Sequence, residues 1–125
     1  MLTAVCRELG VESPLFPRIA TAFAAGMGRT GEVCGAVVGG IMCIGVAHGR
    51  DKSDQPDDKA MLLTRRFLSA FRDEMGEIHC RALTGVDFTV EEEVQRYRAS
   101  DIPIKVCLRA GGVAYDLALK LIREE

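Results

Sequence analysis

Residues 26–49 read GMGRTGEVCGAVVGGIMCIGVAHG, and how this segment folds decides the rest of the chain. Its apolar part, residues 33–47, is fifteen residues long. As a helix it would span about 22 Å, short of the roughly 30 Å of a bilayer's hydrocarbon core. Four of the fifteen are glycines: Gly35, Gly39, Gly40 and Gly45. Each costs a helix interior about 1 kcal/mol relative to alanine, so the helix must gain something from them. Close approach of neighbouring backbones is that gain. The segment is therefore expected to form the buried Gly/Ala-rich central helix of a bundle, from about residue 31 to His48. Thr30 is its expected N-cap, and Gly49 closes it.

Outward from this helix, both flanks read as helical. Residues 1–9 form a helix stopped by Gly10, and Ser13 with Pro14 opens a second through about Ala25. Pro56 opens a long helix to Met75, stopped by Gly76, with Ala60, Leu63, Phe67, Ala70, Phe71 and Met75 on one stripe. Residues 78–83 make a short turn ended by Gly85. Thr89 and Glu92 are spaced as a capping box for a helix to about Ala99. A last amphipathic helix runs over residues 104–123, carrying Val106, Leu108, Val113, Leu117, Leu121 and Ile122 on its apolar side. No run alternates with period two, and no Asn-Gly or Asp-Gly hairpin turn is present. The expectation is an all-α single domain of about six helices over residues 1–125.

Composition agrees. The 125 residues are 48% hydrophobic and 27% charged, too apolar for disorder, with a net charge of −2. Interleaved acids and bases exclude nucleic acid as the natural partner, because counterion release needs a concentrated basic surface. No transmembrane span and no secretory leader is expected, which implies a reducing cytoplasm. There, five cysteines (Cys6, Cys34, Cys43, Cys80 and Cys107), an odd number, are not a disulfide framework. No C-x-x-C is present, so thioredoxin-type, zinc-ribbon and haem-attachment sites are excluded together.

Gly26-x-Gly28-x-x-Gly31 has the spacing of a dinucleotide-binding turn. That motif works only after a β-strand, and the preceding sequence is helical. Two readings stay open: a tight interhelical connection, or an anion or cofactor site built from Gly28, Arg29 and Gly31 at a helix N-terminus. Cys34, expected one turn into the central helix, sits where the helix dipole favours a thiolate. Cys43, nine residues on, faces the opposite side and reads as a small buried hydrophobe. His48 reads as a helix C-terminal cap, and Asp54, Asp57 and Asp58 as complements to a helix N-terminus, not as metal ligands.

Residues 23–29 (FAAGMGR), 33–39 (VCGAVVG), 78–85 (IHCRALTG) and 107–109 (CLR) together resemble the signature of the redox-active family named for its cysteine pattern, C_GCAxxG_C_C. The similarity runs from about Leu9 to the C-terminus. It implies a small helical protein; a related domain occurs in split-Soret cytochromes, whose cysteines are thought to hold an iron–sulfur cluster. By this resemblance Cys34 matches the central motif cysteine, Cys80 the third and Cys107 the fourth. The family's first cysteine precedes the Leu-Gly that matches Leu9-Gly10, and the chain begins inside that helix. Cys6 is not its obvious equivalent, and Cys43 falls outside the pattern.

The resemblance implies that Cys34, Cys80 and Cys107 converge, their sulfurs within roughly 4–7 Å of one another, as around one small metal site. The expected function is electron transfer through an iron–sulfur cluster or a metal ion held by these three. Zinc, or no metal and thiol–disulfide chemistry instead, are the alternatives. Cys6, His79, solvent or a partner chain would supply a fourth ligand. The partners left open are a redox protein and a second copy of the chain. The rival expectation is a helical scaffold or oligomerisation module with buried structural cysteines.

Overall fold

The computed structural model describes residues 1–124. Six α-helices form in chain order: α1 (Leu2–Glu8), α2 (Gly35–His48), α3 (Asp58–Met75), α4 (Cys80–Thr84), α5 (Glu91–Ala99) and α6 (Arg109–Ile122). A 3-10 helix occupies Arg18–Phe23 and a π-helix Pro103–Leu108. No strand forms among the described residues, and no helix is long and apolar enough to cross a membrane. The all-α expectation holds.

The central helix is where the sequence placed it. α2 packs against α1, α3 and α6, and Val37, Gly39, Gly40, Cys43 and Ile44 are buried. Of its glycines, Gly35 shows the expected backbone approach, with Phe23 O 3.1 Å from an added Cβ. Gly39 and Gly40 instead make room for side chains, and Gly45 has nothing within 4 Å. A Cβ on Gly39 would lie 2.8 Å from the Met1 side chain, and one on Gly40 would run into the ring of Phe67. Phe67 stacks on Phe71, with centroids 6.3 Å apart, and both are fully buried on the α3 stripe beside Leu63. Gly76 and Gly85 close α3 and α4 with φ of +83° and +70°, a conformation that glycine adopts without a steric penalty.

Four local expectations are corrected. Residues 13–25 are not one helix: Pro17 breaks the segment, which settles into turns and the 3-10 helix with no buried residue. α2 starts at Gly35, because Thr30 turns its hydroxyl back onto the carbonyls of Gly26 (3.0 Å) and Met27 (2.8 Å) instead of capping. The reciprocal bonding at α5 is also displaced. Thr89 donates its N–H to Asp87 at 2.9 Å, and Glu93, not Glu92, accepts from the Asp87 N–H at 3.2 Å. In the last helix the buried face is Ala110, Ala114 and Ala118 with Leu119, Leu121 and Ile122, while Leu108 is 69% exposed. The wide π turn before Arg109 breaks the 3.6-residue period, so an apolar stripe counted across it loses its face. Alanines at i, i+4, i+8 then let α6 lie close against the glycine-rich α2.

Candidate functional site

The site begins with two short extended segments far apart in sequence. Val33 and His79 form an isolated antiparallel bridge. Around it, the Cys34 N–H donates to Ile78 O at 2.7 Å, the Cys80 N–H to Glu32 O at 2.7 Å, and the Arg81 N–H to Gly31 O at 3.2 Å. This clamp sets Cys34 as the N-cap residue of α2, one turn earlier than expected, and Cys80 as the first residue of α4. Glu77 holds the approach to Cys80. Its carboxylate accepts from the Ile78 N–H (2.8 Å), the His79 N–H (3.2 Å) and the His79 ring (2.9 Å). Those bonds, led by the His79 ring, pull its pKa down to about 2.

Against the clamp lies an unusual backbone. Ala25, Gly26, Met27, Gly28 and Arg29 all have positive φ, between +53° and +73°. For a residue with a Cβ this costs about 1–2 kcal/mol, and three of the five carry one. Backbone bonds hold the turn, among them Gly28 N–H to Ala22 O (2.7 Å) and Glu32 N–H to Gly26 O (2.9 Å). Gly26 is buried, and a Cβ on it would sit 2.6 Å from the Cβ of Cys80. Strain of this kind gathers at functional sites. The N–H groups of Gly28, Arg29 and Gly31 are all spent on backbone carbonyls. Of these three sequence candidates, only Arg29 reaches the cavity described next.

Cys107 arrives from the third direction, on the π-helix. Cys34, Cys80 and Cys107 line one cavity of about 400 Å³, within the size range of small-molecule and cofactor sites. Arg29 and Arg98 bring positive charge to its wall and Glu91 one negative group. Cys80 is buried, and the other two are half-buried. Burial first, then the neighbouring Cys34 and Cys107 thiols, push the Cys80 thiol above its ordinary value.

The remaining cysteines lie elsewhere. Cys6 and Cys43 are fully buried in the core and face each other. Burial, then the Cys6 thiol, pushes Cys43 up to about 12. The opposite facing of Cys34 and Cys43 is thus as expected, and Cys6 is sealed away from the cavity. His79 is exposed and turned to Glu77, and His48 contacts Ile122 O at 2.9 Å.

Tyr97 is the residue that sequence reasoning missed. From α5 its hydroxyl lies 3.2 Å from Cys107 Sγ, and its ring packs edge-on against Phe88 (4.9 Å, 74°). Burial, then the Cys107 hydrogen bond, raises its ionisation well above the usual tyrosine value, so the hydroxyl keeps its proton. A signal existed: Val94 and Tyr97 are the only large apolar residues of an otherwise charged helix, three apart.

The donor chemistry suits soft metal, since three of the cavity's groups are thiols. Thiolates 2.3 Å from one zinc stand about 3.8 Å apart, and among the described residues no group of three or more His, Cys, Asp or Glu is arranged to hold a metal ion. A cluster, which gives each iron its own thiolate, spreads its ligands wider.

Fold and site together define a small all-α protein with a cysteine-lined cavity built on a glycine-rich central helix. The chain belongs to the family described as "Putative redox-active protein (C_GCAxxG_C_C)", whose model matches residues 1–121. No curated protein and no solved structure matches it at a significant level.

Proposed function

We propose that this chain is an electron-transfer protein that carries an iron–sulfur cluster on Cys34, Cys80 and Cys107. The observation behind this reading is that three of its five thiols, from three separate elements, line one cavity. Such a cluster supplies one-electron transfer. The chain's own part is to fix the sulfurs: Cys34 by the α2 cap position, Cys80 by the backbone clamp, Cys107 by the π turn. Arg29 and Arg98 offset negative charge gathered on sulfur, and the Phe88–Tyr97 pair keeps water from one wall. With Cys6 in the core and His79 on Glu77, a fourth ligand comes from solvent or a second chain. Five free thiols fit a reducing compartment such as the cytoplasm.

A second reading, metal-free thiol–disulfide chemistry among the same three cysteines, is favoured by the lack of three-fold convergence on one ion among the described residues. Both readings put Cys34 at the centre. In Cys34→Ser, purified without oxygen, iron and sulfide should be lost, along with any disulfide that includes Cys34. Helical circular dichroism should stay unchanged, and Cys43→Ser should behave like the parent chain. A Cys34→Ser protein with undiminished iron and sulfide would overturn the role given to Cys34, and a parent chain with neither iron and sulfide nor a cavity disulfide would leave the scaffold reading.

A further inference from the structure

α5 has no buried residue, yet its Val94, Tyr97 and Arg98 form one wall of the cysteine cavity. Among the described residues, its one side-chain hydrogen bond to another wall of that cavity is Tyr97 to Cys107, at 3.2 Å. The Tyr97 ring is fixed edge-on by Phe88, so the hydroxyl has few other places to point. Cys107 sits on a π turn, a local irregularity frequent at functional sites.

We infer that Tyr97 is a positioning residue for Cys107, donating its O–H to the sulfur and setting how readily that sulfur is oxidised. The inference rests on the redox reading of the cavity and adds the residue that tunes it. A hydrogen bond given to sulfur stabilises the electron-rich reduced state more than the oxidised one, in a disulfide as in a cluster. Removing the hydroxyl therefore makes oxidation easier. In the metal-free chain the balanced step takes Cys107 and Cys34 or Cys80 as thiols. With one oxidised glutathione they give one protein disulfide and two reduced glutathiones, two electrons and two protons passing to glutathione.

The test uses the full-length, metal-free chain equilibrated across ratios of oxidised to reduced glutathione, acid-quenched and peptide-mapped. In Tyr97→Phe the equilibrium constant for the Cys107-containing disulfide should shift three- to tenfold toward oxidation, equal to about 15–30 mV. In the same variant a Cys34–Cys80 disulfide, neither sulfur of which is bonded to the Tyr97 hydroxyl, should stay within twofold of the parent. Identical equilibria in Tyr97→Phe and the parent would overturn the inference while leaving the redox reading intact. An equal shift in the Cys34–Cys80 disulfide would assign the effect to packing and overturn it too. A parent chain whose Cys107 never enters a disulfide would overturn both the inference and the thiol–disulfide reading.

Discussion

A Gly26→Ala chain should unfold about 8–20 °C below the parent in a thermal melt. Gly26 has a φ of +73°, where a Cβ costs about 1–2 kcal/mol. That Cβ would also stand 2.6 Å from Cys80 Cβ and 2.8 Å from both N and O of Glu32. Two of these three atoms are backbone and cannot swing aside, so overpacking adds about 1–3 kcal/mol. The sum, about 2–5 kcal/mol, converts at about 4 °C per kcal/mol for a chain of this length. The clash falls on the Cys80 side of the clamp, so the variant should also lose the joint behaviour of the cavity thiols. Gly28→Ala is the control: its φ is +64°, but nothing lies within 4 Å of the added Cβ. It should cost only the backbone share. Equal melting points for the two variants would mean that the close approach of Gly26 to Cys80 carries no energy.

Phe67→Ala should cost about 3–5 kcal/mol, or about 12–20 °C, because it empties a fully buried site between α2 and α3. Phe67 is no part of the cysteine cavity, so the folded variant should keep the parent's pattern of thiol reactivity. Its neighbour sharpens the test. Gly40→Ala alone should cost about 1–3 kcal/mol, since the new methyl meets the Phe67 ring. With the ring already removed, that methyl fills vacated space, and the double variant should be more stable than the two single losses predict. Simple additivity in the denaturation midpoints would contradict this packing account.

What the sequence made legible was what local pattern controls. The glycines of residues 33–47 announced a helix that others approach closely, and α2 is that helix. The period of Leu63, Phe67 and Phe71 gave the buried face of α3, and glycines past Met75 and Thr84 marked true ends. The half-turn offset of Cys34 and Cys43 separated a cavity thiol from a core thiol. Some misses come from contacts between residues distant in sequence or from turns off the 3.6 period, and others from local bonds such as that of Thr30 onto Gly26 and Met27. Nothing near Cys34 announces that residues 31–34 will extend to pair with residues 78–81. The π turn before Arg109 shifts the apolar face of α6, so Leu108 emerges where an α-helix would have hidden it. Tyr97 gains its meaning only once Cys107 folds against it. The three cavity cysteines themselves were picked out by resemblance, not by spacing.

The most direct test of the account asks whether those three thiols can act together in the native chain, whatever they hold. Phenylarsine oxide binds tightly only where two thiols reach one arsenic, with loss of one water. The reduced, metal-free chain is treated with it, then unfolded and alkylated, and the cysteines left unmodified are mapped. The account predicts one arsenical per chain, protecting at least two of Cys34, Cys80 and Cys107 while Cys6 and Cys43 are alkylated in full. No protection, or protection of Cys6 and Cys43 alone, would contradict it.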